Sequence, residues 1–388
     1  MILHNINSIG QPGLSDIRIT NDKIEKILSP GTLLKSDRNE LHVEFNEAIA
    51  FPGLINSHDH LEFNLFPQLG NAVYKNYMEW GPDIHSQNKN TISGITKIPK
   101  QLRAEWGVYK NLLNGITTVV HHGKRFNIEN PMIDIFQDSY SLHSVRLEKY
   151  WKFKLNNPFT KNWPFVIHVG EGTDISAFEE INQLINWNLF KRRLIAIHGV
   201  AMNIQQSKKF EALIWCPDSN FFLLNATANV EELKKQTKIL FGTDSTVSAG
   251  WNLWEQLRLA RKTRMLTDEE LFDSITSIPA LVWGLDDKGI LADGKKADIV
   301  IAKMKANGHS LSSFFQTDPQ DILLVLKNGE IILFDGTLCS QLRHTITLTD
   351  FNSISMDNNV KYIKGDLRNI VNQIKKYGHH IQFPFELV

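Results

Sequence analysis

Apolar and polar positions change their rhythm twice along this chain. Over residues 1 to 52, short runs such as DIRIT, IEKIL, LHVEF and EAIAF are separated by the turn signals NDK and SPG, which predicts strands and no helix. From Phe51 to about residue 285, apolar strand runs alternate with amphipathic stretches of helical period, the pattern of βα units around a parallel sheet. In QLRAEWGVYKNLLNGITTVV, Leu102, Trp106, Tyr109 and Leu113 fall on one helical face, Gly115 is a stop, and ITTVV reads as a buried strand. FVIHVGEG is a further strand, followed by Phe178, Ile181 and Ile185 at helical spacing; RLIAIHG, EALIWCP and KILFGTDS are others. TDEE at 267 to 270 is a capping box ahead of Leu271 and Ile275. After residue 285, GILADGKKADIVIA and DILLVLKNGEIILFDG return to short strands and glycine turns, so the two ends are expected to build one small β-domain.

The predicted division is therefore residues 1–52 and 286–336 as the two parts of that small domain, with 53–285 as a span that suits a barrel. Residues 337–388 contain strand-like pieces and one helix-like stretch, LRNIVNQIKKYG, without a chemical motif or an assigned role.

Composition narrows the function classes. Apolar residues are 42% and charged residues 22% of the 388, values of an ordinary globular chain, and no internal repeat interrupts it. Lys plus Arg and Asp plus Glu are 42 each, which leaves no electrostatic footprint for nucleic acid or an anionic membrane. The opening MILHNINSIGQPGLSDIRI lacks a basic segment followed by an apolar one, and no window is long and apolar enough to span a bilayer, so a cytoplasmic address is expected. Cys216 and Cys339 are too few for a disulfide framework or a cysteine zinc site. Any metal would be held by histidine and carboxylate.

Chemistry in a βα barrel is sought at the C-terminal ends of strands. His58 and His60 follow FPGLIN, His168 follows PFVI, His198 follows LIAI, and Asp244 follows ILFGT. In an extended segment His58 and His60 point the same way and Asp59 the other, so both imidazoles can reach one ion. By itself such a pair suits a solvated turn as well as a metal. His168 gains weight from Glu171, three residues on, a carboxylate placed to move protons beside an activated water; the glycines flanking it suggest close backbone approach to a substrate.

In their order, GLINSHDH, GITTVV, IHVGEG, IHGV, WCPDSN, FGTDS and GILADGKKADIVIA resemble the amidohydrolase superfamily. The branch is that of cytosine, guanine and adenosine-type deaminases and triazine hydrolases, and the likeness spans residues 1 to 335. The resemblance implies an α/β fold: a (β/α)8 TIM-type barrel with a small β-sandwich-like accessory domain made from both ends of the chain. It implies one divalent metal ion, zinc before iron, on His58, His60, His168 and Asp244. Glu171 then resembles the proton shuttle, His198 the residue that binds water or substrate, and Asp244 also takes a proton from the attacking water.

The implied activity is hydrolysis of a carbon–nitrogen bond other than a peptide, with a heterocycle deaminase as the first reading. Hydrolysis of a cyclic or linear amide, or displacement of chloride, is the alternative. A non-catalytic scaffold, the reading of another class, predicts lost ligands, and here all remain. The expected partner is a small-molecule substrate, not nucleic acid or membrane, with a homo-oligomer left open.

His121, His122 and Trp80 are candidate substrate contacts, one of the two histidines being expected to point into the barrel wall or solvent. Glu62, Phe63, Tyr74 and Tyr77 are expected mostly to pack a loop, and Ser219 and Asn220 to shape one. Lys149, in VRLEKYWKF, falls in a candidate strand between Val120 and His168, which leaves open the bridging lysine, or glutamate in its place, that marks the binuclear branch. Two departures from the family pattern stand out: the charged Asp59 between the histidines, and Asn225 where glycine is common.

Overall fold

The computed structural model describes residues 1–32, 40–305, 309–378 and 381–388. The chain opens with β1 (Ile2–Ser8), β2 (Leu14–Thr20), β3 (Lys23–Leu28) and β4 (His42–Pro52). LHVEF and EAIAF, two strands by their sequence, are one long strand; Glu47 takes a left-handed φ of 47° where the β1–β4 register shifts, so a bulge stands where a break was expected.

Eight parallel strands follow in two sheets. β5 (Leu54–Asp59), β6 (Ile116–His121) and β7 (Asp134–Phe136) form the first. The second is made of β8 (Tyr140–Ser144), β9 (Phe165–Val169), β10 (Leu194–His198), β11 (Ala212–Trp215) and β12 (Lys238–Phe241), paired in sequence order. β9 and β10 are buried along their whole length, as strands covered on both faces must be. Among the connecting helices are α1 (Tyr77–Gln87), α2 (Lys89–Thr96), α3 (Lys100–Leu113), α4 (Trp151–Leu155) and α5 (Ile175–Trp187). Leu102, Trp106, Tyr109 and Leu113 of α3 are buried, and Thr267 with Glu270 forms the expected capping box.

Ile55, Val120, Val166, Ile195, Ile214 and Leu240 pack together between the parallel strands, with Trp283 against them. His122 and His168 lie two residues beyond Val120 and Val166, and period two carries the inward direction from apolar floor to polar site.

β13 (Ile299–Lys303), β14 (Ile322–Lys327) and β15 (Glu330–Asp335) join the N-terminal strands in one sheet of ten, ordered β18-β16-β17-β15-β14-β13-β4-β1-β2-β3. The β14–β15 hairpin turns on Asn328-Gly329, both at positive φ, as a two-residue turn requires. The residues beyond 336, which carried no chemical motif, supply β16 (Phe351–Met356), β17 (Asn359–Lys364) and β18 (Glu386–Leu387) to the same sheet. Their helix Leu367–Lys375 packs on α3, the Asp366 backbone N–H donates to the Tyr109 hydroxyl at 2.9 Å, and Phe383 stacks edge-on against Trp106. Among the described residues, no helix is long and apolar enough to cross a membrane.

Candidate metal centre

The ends of β5, β9, β10 and β12 bring His58, His60, His168, His198 and Asp244 to one place. The Nε2 of His168 lies 3.3 Å from the Nε2 of His58 and 3.3 Å from that of His60. Oδ1 of Asp244 is 3.6 Å from His58 Nε2 and 3.9 Å from His60 Nε2. Donors about 2.0–2.1 Å from a tetrahedral ion stand about 3.3–3.4 Å apart, so the two His168 spacings are those of a coordination shell, and the Asp244 spacings are wider. The tautomer of His168 agrees: its Nδ1 meets the His143 carbonyl at 2.7 Å and must donate, which leaves the Nε2 lone pair facing the cluster.

Protonation favours ligation too. Burial pushes His60 down to about 4, with His58 next to it adding to the effect, and burial holds His168 well below the usual imidazole range. Burial alone works to raise the Asp244 carboxyl, but the hydrogen bond from His58, with His198 and His60 close by, holds it well below its ordinary value. His60 and His168, both pushed toward the neutral form, beside a carboxylate held below its ordinary range are a fitting donor set for a divalent cation such as zinc.

Asp244 and His198 both sit at left-handed φ, 56° and 70°, a strained geometry for residues with a Cβ. Dense bonding holds them there. Ser219 and Ser248 hydroxyls donate to Asp244 Oδ2 at 2.9 and 3.0 Å, the Ser245 N–H donates to Oδ1 at 2.8 Å, and the Asp244 N–H reaches the His58 carbonyl at 3.0 Å. Asn220 Nδ2 donates to His198 Nδ1 at 2.9 Å, so a neutral His198 carries its proton on Nε2. That Nε2 is 3.5 Å from Glu171 and 3.9 Å from Asp244. His198 therefore offers the site a donor rather than a lone pair. Ser219 and Asn220, expected to shape a loop, hydrogen-bond Asp244 and His198 directly. Asn225, in place of a glycine, caps the helix Pro217–Leu224 in the left-handed region that Asn tolerates.

Glu171 is 6% exposed, and burial, then the charge of Asp244, raises its carboxyl well above the usual range. Its two flanking glycines do not serve substrate approach. A Cβ at Gly170, whose φ is +67°, would meet Ile181 at 2.7 Å, and one at Gly172 would meet Asn76 at 2.6 Å and Ala177 at 2.8 Å. The loop is glycine-flanked because α5 and the start of α1 press on it. Its anchor, unforeseen in the sequence, is Glu180 on α5, which accepts the Gly170 N–H at 2.7 Å and the Tyr77 hydroxyl at 3.0 Å.

A cavity of about 750 Å³ opens over the centre and is walled largely by apolar side chains, among them Phe63, Phe66, Tyr77, Trp80, Ile84 and Val247. Glu62, Phe63, Tyr77 and Trp80 thus line the cavity, whereas Tyr74 turns away and donates to Asp83 at 2.6 Å. The Trp80 N–H is spent on the Leu69 carbonyl at 2.6 Å, so Trp80 presents the cavity with carbon. His122 and His143 line it as well, while His121 lies in the wall, bonded to the Lys124 carbonyl at 3.0 Å. Two lysines at the cavity edge are paired, Lys100 with Glu62 at 2.8 Å and Lys154 with Glu148. Lys149 is exposed in the turn between β8 and α4, not in a strand, and does not line the cavity; the chain leaves β8 at Ser144, before reaching it.

The Amidohydrolase family profile matches residues 162–332, which contain His168, Glu171, His198 and Asp244. A 5-methylthioadenosine/S-adenosylhomocysteine deaminase of Desulfitobacterium hafniense is 23% identical over 86% of this chain and 90% of its own length. A 5'-deoxyadenosine deaminase of Methanococcus aeolicus is 23% identical over 84% and 91%. The chain is thus similar to amidohydrolases over this segment and to these deaminases along most of its length. Its fold is shared with a zinc-bound adenosine deaminase from Xanthomonas campestris, at TM-score 0.62 and 15% identity over 98% of each chain. A zinc complex of atrazine chlorohydrolase from Arthrobacter aurescens is similar at 0.61 and 16%, over 97% of this chain and 99% of that one.

Proposed function

We propose that this protein is a metal-dependent aminohydrolase that removes an amino group from a heterocyclic small molecule. The observation that carries the reading is a buried carboxyl group, Glu171, 3.5 Å from His198 Nε2 and beside a convergent set of metal donors. The deaminases similar to this chain along most of its length support the same reaction class. His58, His60, His168 and Asp244 would hold one divalent ion, zinc before iron, and the two parallel sheets would close as one (β/α)8 barrel around it. In this division 53–285 is the barrel, 1–52 and 286–336 make the small β-domain, and 337–388 widens that domain's sheet and braces α3.

A divalent ion bound there supplies Lewis acidity that brings water toward ionisation near neutral pH. The chain's own groups do the rest. Asp244 takes a proton from the attacking water while His198 Nε2–H orients the water oxygen. As oxygen bonds to the ring carbon, the C=N electron pair moves onto the ring nitrogen, which takes the Glu171 proton. The C–NH2 bond then breaks, the departing amine takes the proton held by Asp244 and leaves as ammonia, and the new hydroxyl returns a proton to Glu171. His122 and His143 at the cavity floor, and the carbon face of Trp80, are the contacts proposed for the heterocycle. His121 is set in the wall beside them and would reach substrate only through them.

The test is a metal analysis of purified protein with an ammonia-release screen of aminopurines, aminopyrimidines and aminotriazines. Bound metal with ammonia from a member of the panel is the expected result. Bound metal with no ammonia, but turnover of a lactam, an acyl amide or a chlorinated heterocycle, replaces this reading with the other leaving groups. Absence of metal binding overturns it.

A further inference from the structure

Asp59 sits between His58 and His60 in sequence. It points away from the two histidines that flank it, is fully buried, and lies 3.0 Å from the Nζ of Lys110, itself fully buried on α3. Neither charge is left without partners. Asp59 Oδ2 also accepts from Asn111 Nδ2 at 2.8 Å and Oδ1 from Asn64 Nδ2 at 2.8 Å; Lys110 Nζ also reaches the Thr243 hydroxyl at 3.3 Å. Thr243 Oγ1 donates onward to the Asp244 carbonyl at 2.9 Å and accepts from Asn56 Nδ2 at 2.7 Å. Asn56 Oδ1 accepts from the Thr243 N–H at 3.0 Å, and its Nδ2 also bonds Asn111 Oδ1 at 2.9 Å.

The location of this network is what gives it a consequence. β5 and β12 are the edges of two different sheets and share no ladder, although His58 and His60 ride on one and Asp244 follows the other. The backbone bond from the Asp244 N–H to the His58 carbonyl crosses the seam, and side chains from β5, α3 and the β12 end stitch it further. A buried ion pair is a poor source of net stability, since desolvation offsets most of its attraction, but it fixes geometry because either charge without the other is costly. We propose that the Asp59–Lys110 pair is a positioning device for the metal centre: relayed through Thr243, it sets the gap between the His58–His60 pair and the Asp244 carboxylate. The inference rests on the metal reading above and deepens it. Partners behind the ligands of a metal site commonly govern affinity by 10- to 100-fold.

Single substitutions would strand a buried charge and unfold the chain, so the informative variant is the double Asp59→Asn, Lys110→Met, which keeps the shapes and removes both charges. Zinc affinity is measured by chelator competition, and ligand geometry by the visible absorption of the cobalt-substituted protein. The expected result is a folded double variant that holds zinc at least about ten-fold more weakly than wild type and shows an altered cobalt spectrum. Wild-type affinity and an unchanged spectrum in the double variant overturn the positioning role and leave the metal centre standing. No zinc binding by the wild-type protein overturns the centre itself, and this inference with it. Should the double variant not fold, Thr243→Val decides by the same readouts, since it cuts the relay to Asp244 without stranding a charge: about ten-fold weaker zinc supports the role, and wild-type binding overturns it.

Discussion

Two buried carboxyl groups of the centre are driven apart in acidity by their neighbours. Asp244 stays ionised because imidazoles surround it and three donors satisfy its oxygens, whereas Glu171 has burial and the Asp244 charge working against ionisation. Such a split is how one site keeps an acid and a base at the same pH. Glu171→Gln should therefore lower kcat by about 10²- to 10⁴-fold, the usual worth of a placed proton donor, while metal content is unchanged. Steady-state turnover with metal analysis of both proteins checks this, and undiminished turnover removes Glu171 from the mechanism. The pH profile has a definite sign. Glu171 must begin protonated, so kcat/KM should fall as pH rises through its elevated pKa, and this limb should vanish in the Gln variant.

At the scale of elements, the Glu171 loop is held by α5 rather than by its own residues. Glu180 accepts from Gly170 and from Tyr77, and burial, opposed by those hydrogen bonds, raises its carboxyl from 4.5 to about 7. The folded state thus binds a proton that the unfolded chain releases. Its contribution to stability is greatest below pH 4.5 and is lost as pH rises to about 7, a swing of up to about 3 kcal/mol. Glu180→Gln should flatten this dependence between pH 4.5 and 7 in denaturant titrations, and equal slopes for the two proteins would refute it.

Glu180 also marks a limit of legibility. HVGEG was readable because a strand end, a histidine and a carboxylate are adjacent in sequence, but nine residues later Glu180 looks like any charged position of an amphipathic helix. Lys110 was hidden in the same way: only packing shows that the polar stripe of α3 faces a buried carboxylate. The glycines were visible but their cause was not, since what a missing Cβ makes room for lies on another helix.

Across the whole molecule, the alternation of strands and helices and the matching texture of the two ends were legible because period and turn chemistry are local. The role of residues 337–388 was not, because their strands complete a sheet begun more than 300 positions earlier, and Phe383 meets Trp106 on a helix far away in sequence. The same long-range assembly governs what a bound metal does to stability. His58 belongs to and His60 directly follows a strand of the first parallel sheet, while His168 and Asp244 belong to or follow the strands of the second. An ion on all four is a cross-link between sheets whose facing edges share no ladder. The proposed ion should accordingly stabilise the entire fold. Zinc at about a thousand times its Kd adds about 4 kcal/mol by mass action, which raises the melting temperature by several degrees. Chelation should reverse the shift, and hydrogen exchange should then quicken first in β5 and at the end of β12, where the seam lies, and less in β9 and β10, which keep their neighbours on both sides. A chelated protein that melts at the same temperature, or that loosens evenly, would show that the chain's own stitching closes the seam.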